Sequence, residues 1–162
     1  MRHHLFVPNK YDYVRGDRPK VDCILCEVVS GAETVTRLEV HRTQRWLVSL
    51  NMYPYNPGHL LILPQRHVED LQELEVEEVQ EKHALEVTCL QVLNDLYSPG
   101  GFNVGLNLGH SSGASIAHLH VHVVPRFNRE LGFIDVIGGA KIMVEEPLKT
   151  QARLRKAFRK GG

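Results

Sequence analysis

Nine residues in the last third of the chain restrict its fold more than any other stretch: His118-Leu-His120-Val-His122-Val-Val-Pro-Arg126. Three histidines stand at i, i+2 and i+4 with apolar residues between them. Side chains of a β-strand alternate faces, so the spacing predicts a strand with His118, His120 and His122 on one face and Leu119, Val121 and Val123 on the other. Adjacent imidazoles on such a face lie about two strand rises apart, roughly 7 Å. That spacing suits separate tools better than three equivalent ligands of one ion, although a metal held by two of them as His-x-His stays open. The preceding run, Gly109-His110-Ser-Ser-Gly113-Ala114-Ser115, reads as a loop whose glycines and backbone N–H groups could hold an anion against the row. Histidine attack on phosphorus with a phosphoramidate intermediate is the chemistry this combination favours.

The rest of the chain supplies a plain scaffold. Extended segments are expected at 35–40, 45–50, 59–63, 102–108 and 133–137, with Asn51 to Gly58 as a proline- and glycine-rich turn between two of them. From Val68 to Leu96 the period becomes helical, with Val76, Val79, His83, Val87, Leu90, Leu93 and Tyr97 as the stripe, widened by Leu85, Cys89 and Leu96; Ser98-Pro-Gly-Gly101 ends it. Leu148, Ala152, Leu154 and Phe158 outline a basic C-terminal helix. Strands that neighbour one another around one long helix, without regular strand–helix alternation, imply an α+β fold: an antiparallel sheet with the long helix on one face and a C-terminal helix. The expected divisions are an arm over 1–20, the main domain over 21–145 and a basic helix or tail over 146–162.

With 162 residues the chain suffices for one core, and its formal net charge of zero offers no general attraction for nucleic acid or an anionic membrane. No apolar run nears the ~20 residues of a membrane span, and the N-terminus lacks a secretory pattern, so a cytoplasmic location is expected. Three cysteines fit a reducing compartment. Cys23-x-x-Cys26 by itself is open between a redox pair, two buried thiols and half of a metal site, for which His67 and His118 are the candidate further ligands. Asn51, Asn107 and Ser115 flank the histidine row as candidate hydrogen-bonding residues.

His118-Leu-His120-Val-His122-Val-Val resembles the signature of the histidine-triad (HIT) family of nucleotide hydrolases and transferases. The likeness runs from Cys23 to about Arg126 and includes Asn56-Pro-Gly-His-Leu-Leu-Ile-Leu-Pro-Gln-Arg-His67. Leu50 to His59, Gly101 to Gly109, Tyr13-Val-Arg-Gly16 and Ile137-Gly-Gly-Ala-Lys141 resemble more narrowly the bacterial diadenosine tetraphosphate phosphorylases of that family. The resemblance implies a HIT-like fold and nucleotidyl transfer from a dinucleoside polyphosphate, through a nucleotidyl-histidine, to phosphate or water. It implies His120 as nucleophile, His122 on the α-phosphate and His59 as the supporting histidine. Asn51 would bind ribose, and Asn107, Gly113, Ala114 and Ser115 the phosphate side. Cys23, Cys26, His67 and His118 would hold a structural zinc, the ligand would be a small nucleotide, and the chain would form a homodimer. Ala117 stands where phosphorylase-type members often carry an acidic residue, so both acceptors stay open. An adenosine phosphoramidase and a nucleotide-binding regulator without turnover are the alternatives.

Overall fold

The computed structural model describes residues 21–128, 130 and 145–160. The expected arm (1–20), the strand at 133–137 and the two segments at 13–16 and 137–141 lie outside the described residues. The elements in chain order are α1 (Ile24–Ser30), β1 (Glu39–Arg42), β2 (Trp46–Leu50), β3 (Leu60–Pro64), α2 (Val76–Tyr97), β4 (Gly101–Gly105), β5 (Val121–Arg126) and α3 (Pro147–Phe158), with single 3-10 turns at Leu71–Glu73 and His110–Ser112. The strands form one sheet in the order β1-β2-β3-β5-β4, every pairing antiparallel. The architecture is α+β, as the sequence pattern implies.

The sheet is packed on both faces, and the period of two along its strands decides which side chain serves which face. Leu60 and Ile62 of β3, with Trp46, Val48 and Leu50 of β2, join Leu119, Val121 and Val123 in a core closed by Leu85, Cys89, Val92 and Leu93 of α2 and by Leu154 and Phe158 of α3. Leu47 and Leu63 point the other way, onto Leu25 of α1. β2 is therefore buried along its whole length, where a half-exposed strand would alternate. Trp46 has no exposed surface, and its indole N–H donates to the Glu78 carbonyl at 3.0 Å. That bond joins β2 to the first turn of α2.

Several boundaries differ from the sequence reading for identifiable reasons. β1 starts at Glu39 rather than 35, because Thr34, Val35 and Thr36 are drawn into a cavity wall. The stripe of α2 is narrower than expected: Leu85, Cys89 and Leu93 of it face the core with Val92, while Val76, Val79 and Val87 are exposed. In the first turn it is Glu78 that turns inward, with Nε and Nη2 of Arg66 on its two carboxylate oxygens, both at 2.7 Å, and it accepts the Glu75 N–H in a capping box. This charge-assisted pair holds the Glu78 carboxyl below its ordinary range. α1, absent from the sequence reading, is a seven-residue helix stopped by Gly31 in the left-handed region (φ 77°). Arg42 ties its end to the sheet, donating to the Val29 carbonyl at 2.9 Å and to Gln65 at 2.8 Å while Glu39 accepts from the same guanidinium. No helix of the described residues is long and apolar enough to cross a membrane.

Candidate active site and metal cluster

β3 and β5 place the histidines. Leu61 lies across from His122 and Leu60 from Val123, so the site face of β5 looks away from α2. Alternation survives even though His118 and His120 precede the first hydrogen-bonded residue of β5, Val121: the intervening Leu119, Val121 and Val123 are all in the core. The rings are not evenly spaced, however. His120 and His122 stand 5.0 Å apart, centroid to centroid, nearer than the strand rise alone predicts, because their rings tilt together at 65°.

Main-chain groups fix which nitrogen of each ring carries the proton. A neutral imidazole has one donor and one acceptor nitrogen, so each partner determines the other end. The Tyr55 N–H donates to Nδ1 of His59 at 3.0 Å, which leaves the His59 proton on Nε2. That Nε2–H points to Nδ1 of His122 at 2.9 Å, which leaves the His122 proton on its own Nε2. His120 donates Nδ1–H to the His118 carbonyl at 2.7 Å and so keeps a bare Nε2. His118 donates Nε2–H to the Pro64 carbonyl at 3.1 Å and keeps a bare Nδ1. Neutrality is enforced by desolvation. Burial, then the neighbouring imidazoles, push His59 down to about 3, and burial followed by His120 pushes His122 down to about 4.

A cavity of about 440 Å³ opens beside His120 and His122. Its walls are Ile24, Leu25 and Val28 of α1, Thr34 to Thr36, Leu38, Leu50, Leu61, Leu63 and Ile116, with polar atoms supplied by Ser49, Asn51 and Ser115. Of the residues expected to serve a substrate, Asn51, Ser115, His120 and His122 come together here; Asn107, Gly113 and Ala114 are not among the lining residues. Asn51 accepts the Tyr53 N–H through Oδ1 at 3.0 Å, which turns its amide nitrogen toward His59. Gly109 and Gly113 bracket the 3-10 turn with positive φ (74° and 92°), and the Gly113 N–H is used within the loop on the His110 carbonyl. His59 is wholly buried behind His122.

Cys23, Cys26, His67 and His118 form the second constellation, one ligand atom from each lying within 4.8 Å of the others. Sγ of Cys23 is 3.3 Å and Sγ of Cys26 3.5 Å from Nδ1 of His118, and Sγ of Cys26 is 3.3 Å from Nδ1 of His67. Two thiols and two imidazoles at these separations match the donor set of a closed tetrahedral zinc site. The bare nitrogen of His118 faces the sulfurs. Pro64 on His118 and Glu69 on Nε2 of His67 (3.2 Å) are the outer partners that orient such ligands. Among protein groups alone, burial and the Cys23 thiol push the Cys26 thiol up to about 11, so a cation there must displace protons.

Sequence reasoning missed α1 and Tyr55. Ile24, Leu25, Val28 and Val29 before Gly31 carry a helical stripe with a glycine stop, a signal obscured by its brevity. Nothing in the sequence marks a backbone N–H at Tyr55 as the partner of His59.

Together, the fold and site define an α+β protein in which a histidine relay borders a small-molecule cavity and abuts a Cys₂His₂ cluster. Residues 32–129 match the HIT domain, and the chain belongs to that family. An AP-4-A phosphorylase of Mycobacterium tuberculosis is 50% identical over 95 residues, 58% of this chain and 49% of its own. An asymmetrical bis(5'-nucleosyl)-tetraphosphatase of Schizosaccharomyces pombe is 30% identical over 97 residues, 60% of this chain and 53% of its own. The chain thus spans about half the length of these curated relatives. A zinc-bound histidine triad family protein from Mycobacterium smegmatis has the same fold, with a TM-score of 0.70 and 25% identity over 86% of this chain and 94% of that one.

Two outcomes follow from the geometry. Protein purified without added metal is expected to contain about one zinc per chain, and Cys26→Ser to lose most of it, as a closed four-ligand site requires; metal-free wild type by elemental analysis would refute the cluster. His59 titrates near 6.5 when unfolded and at about 3 when folded, so below pH 6.5 protons favour the unfolded chain and stability falls with pH. This one group should account for about 2 kcal/mol of loss between pH 7 and pH 5. Urea midpoints of His59→Asn should be flatter across that range; parallel losses in variant and wild type would disprove the assignment.

Proposed function

We propose that the protein is a nucleotidyl transferase or hydrolase that cleaves a dinucleoside polyphosphate through a nucleotidyl-His120 intermediate. The observation that carries this reading is the pair of opposed ring nitrogens at the cavity wall: a bare Nε2 on His120 and an Nε2–H on His122, each fixed from behind. One is a nucleophile and the other a hydrogen-bond donor, and neither needs a change of tautomer to begin. The apolar walls suit a base and Asn51 a ribose, and the names of the M. tuberculosis and S. pombe relatives support a diadenosine polyphosphate as the donor.

The lone pair of His120 Nε2 attacks the α-phosphorus, an N–P bond forms, and the P–O bond to the remaining polyphosphate breaks. His122 directs its Nε2–H as a hydrogen bond to the departing oxygen, which leaves as a polyphosphate anion while His122 keeps its proton. An oxygen of phosphate or water then attacks phosphorus, the N–P bond breaks and restores the lone pair on His120 Nε2, and any proton the acceptor sheds passes to solvent. His59 stays neutral throughout and holds the His122 ring, with Nδ1 secured by Tyr55 N–H. Asn107, Gly113, Ala114 and Ser115 serve the phosphate side. Cys23, Cys26, His67 and His118 would hold a zinc, whose part would be structural, fixing the segment that leads into β5.

A homodimer fits the edge of the sheet that no other strand among the described residues covers. β1 is covered by α3, whose Gln151 and Arg155 both donate to the Glu39 carbonyl, at 2.9 and 2.7 Å. β4 at the other edge has Asn103, Val104 and Gly105 exposed and contains neither charge nor proline, the usual guards of a free edge. Antiparallel pairing of β4 with its copy across a two-fold axis would close it.

Product analysis of diadenosine tetraphosphate turnover tests the reaction. Phosphate-dependent ADP plus ATP means phosphorolysis, and AMP plus ATP means hydrolysis. His120→Ala is expected to lose at least 1,000-fold in kcat, on the order seen when a catalytic nucleophile is removed, with an unchanged circular dichroism spectrum; undiminished turnover would sink the mechanism. Light scattering at micromolar concentration should give twice the chain mass for the wild type and the single mass for Val104→Lys. A monomeric wild type would refute the edge-to-edge dimer.

A further inference from the structure

The loop between β2 and β3 carries an aromatic ring that the steps above do not use. Tyr55 lies nearly parallel to two imidazoles, 4.8 Å from His59 at 30° and 5.9 Å from His122 at 24° between centroids and planes. Yet 58% of the residue is exposed, and it lines the cavity mouth beside Met52, itself 40% exposed. The backbone that carries the ring is anchored. The main-chain N–H of Tyr55 is bonded to His59, and the next residue, Asn56, is buried and donates to the Pro125 carbonyl at 2.6 Å and to Glu130 at 2.9 Å. An aromatic surface on an anchored backbone, stacked on one side and open on the remainder, suits a stacking contact, since little order is lost on binding.

We propose that Tyr55 is the stacking platform for the second base of a dinucleoside polyphosphate, and hence the residue that separates dinucleotide from mononucleotide ligands. This rests on the reading of the site given above. On that reading one nucleoside fills the cavity walled by α1, β2 and β3, and the other lies outside it. The leaving side of the α-phosphorus is next to His122, and the Tyr55 ring is the aromatic surface against that histidine. A chain of several phosphates spans the interval. Every base presents a π-face, so the platform accepts different second bases while the enclosed cavity selects the first.

The test compares KM for diadenosine tetraphosphate with the inhibition constant of AMP, which has no second base, in the full chain and in Tyr55→Ala, Tyr55→Leu and Tyr55→Phe. Tyr55→Ala should raise the dinucleotide KM by roughly 5- to 150-fold, the range of one base–aromatic stack. The AMP constant should shift much less, Tyr55→Phe should restore the dinucleotide value, and Tyr55→Leu, which still covers the imidazoles, should not. Equal changes for AMP and the dinucleotide would show that the ring only supports His122, and would overturn the platform. So would an unchanged dinucleotide KM, or restoration by Tyr55→Leu. A wild type that binds AMP but leaves diadenosine tetraphosphate intact would instead overturn the proposed reaction, and the platform with it.

Discussion

Three main-chain hydrogen bonds set the character of this site. The carbonyls of Pro64 and His118 and the N–H of Tyr55 each engage one nitrogen of a histidine ring, and the bond from His59 to His122 transmits the last of them onward. The Pro64 carbonyl belongs to β3, the Tyr55 N–H to the loop before it and the His118 carbonyl to the segment that leads into β5, so three parts of the chain meet to set the four protonation patterns. Burial makes that arrangement tenable. A ring whose charged form is disfavoured by desolvation stays neutral, and only a neutral ring can offer a donor at one end and a lone pair at the other. The same packing that buries Leu119, Val121 and Val123 thereby defines what His118, His120 and His122 can do.

His118 joins the two halves of the site. Its carbonyl holds His120 while its own ring faces the sulfurs of Cys23 and Cys26. The cluster is secured from the opposite direction by Arg66, which precedes His67 and is locked onto Glu78 at the start of α2. The Cys/His cluster and the histidine row are in this way one construction resting on the N-terminal end of the long helix.

Much of this was legible in the sequence, and the limits have physical causes. The alternation of His118 to Val123 gave both faces of the catalytic segment, because a period of two survives small irregularities of backbone. The long helix and the α+β class followed from a change of period. The facing of α2 followed in part: Leu85, Cys89 and Leu93 lie in the core as the pattern places them, but Val76 and Val79 are exposed where Glu78 turns inward to Arg66, twelve positions away in the chain. The seven residues of α1 were too few for a periodic signal. For the resemblance, matching residues gave the family and the row of histidines. Tautomers and the place of Tyr55 lay beyond it, since they depend on where distant main-chain atoms come to rest.

α1 is also shared property. Cys23 and Cys26 stand at its start and in its first turn, and Ile24, Leu25 and Val28 from the same turns wall the cavity. Thermodynamic linkage then applies whatever the occupants are: to the extent that a cation steadies this helix and improves the wall for a ligand, the ligand must tighten the hold on the cation by the same factor. A helix of seven residues would in that case make the affinity of each site a function of the occupancy of the other.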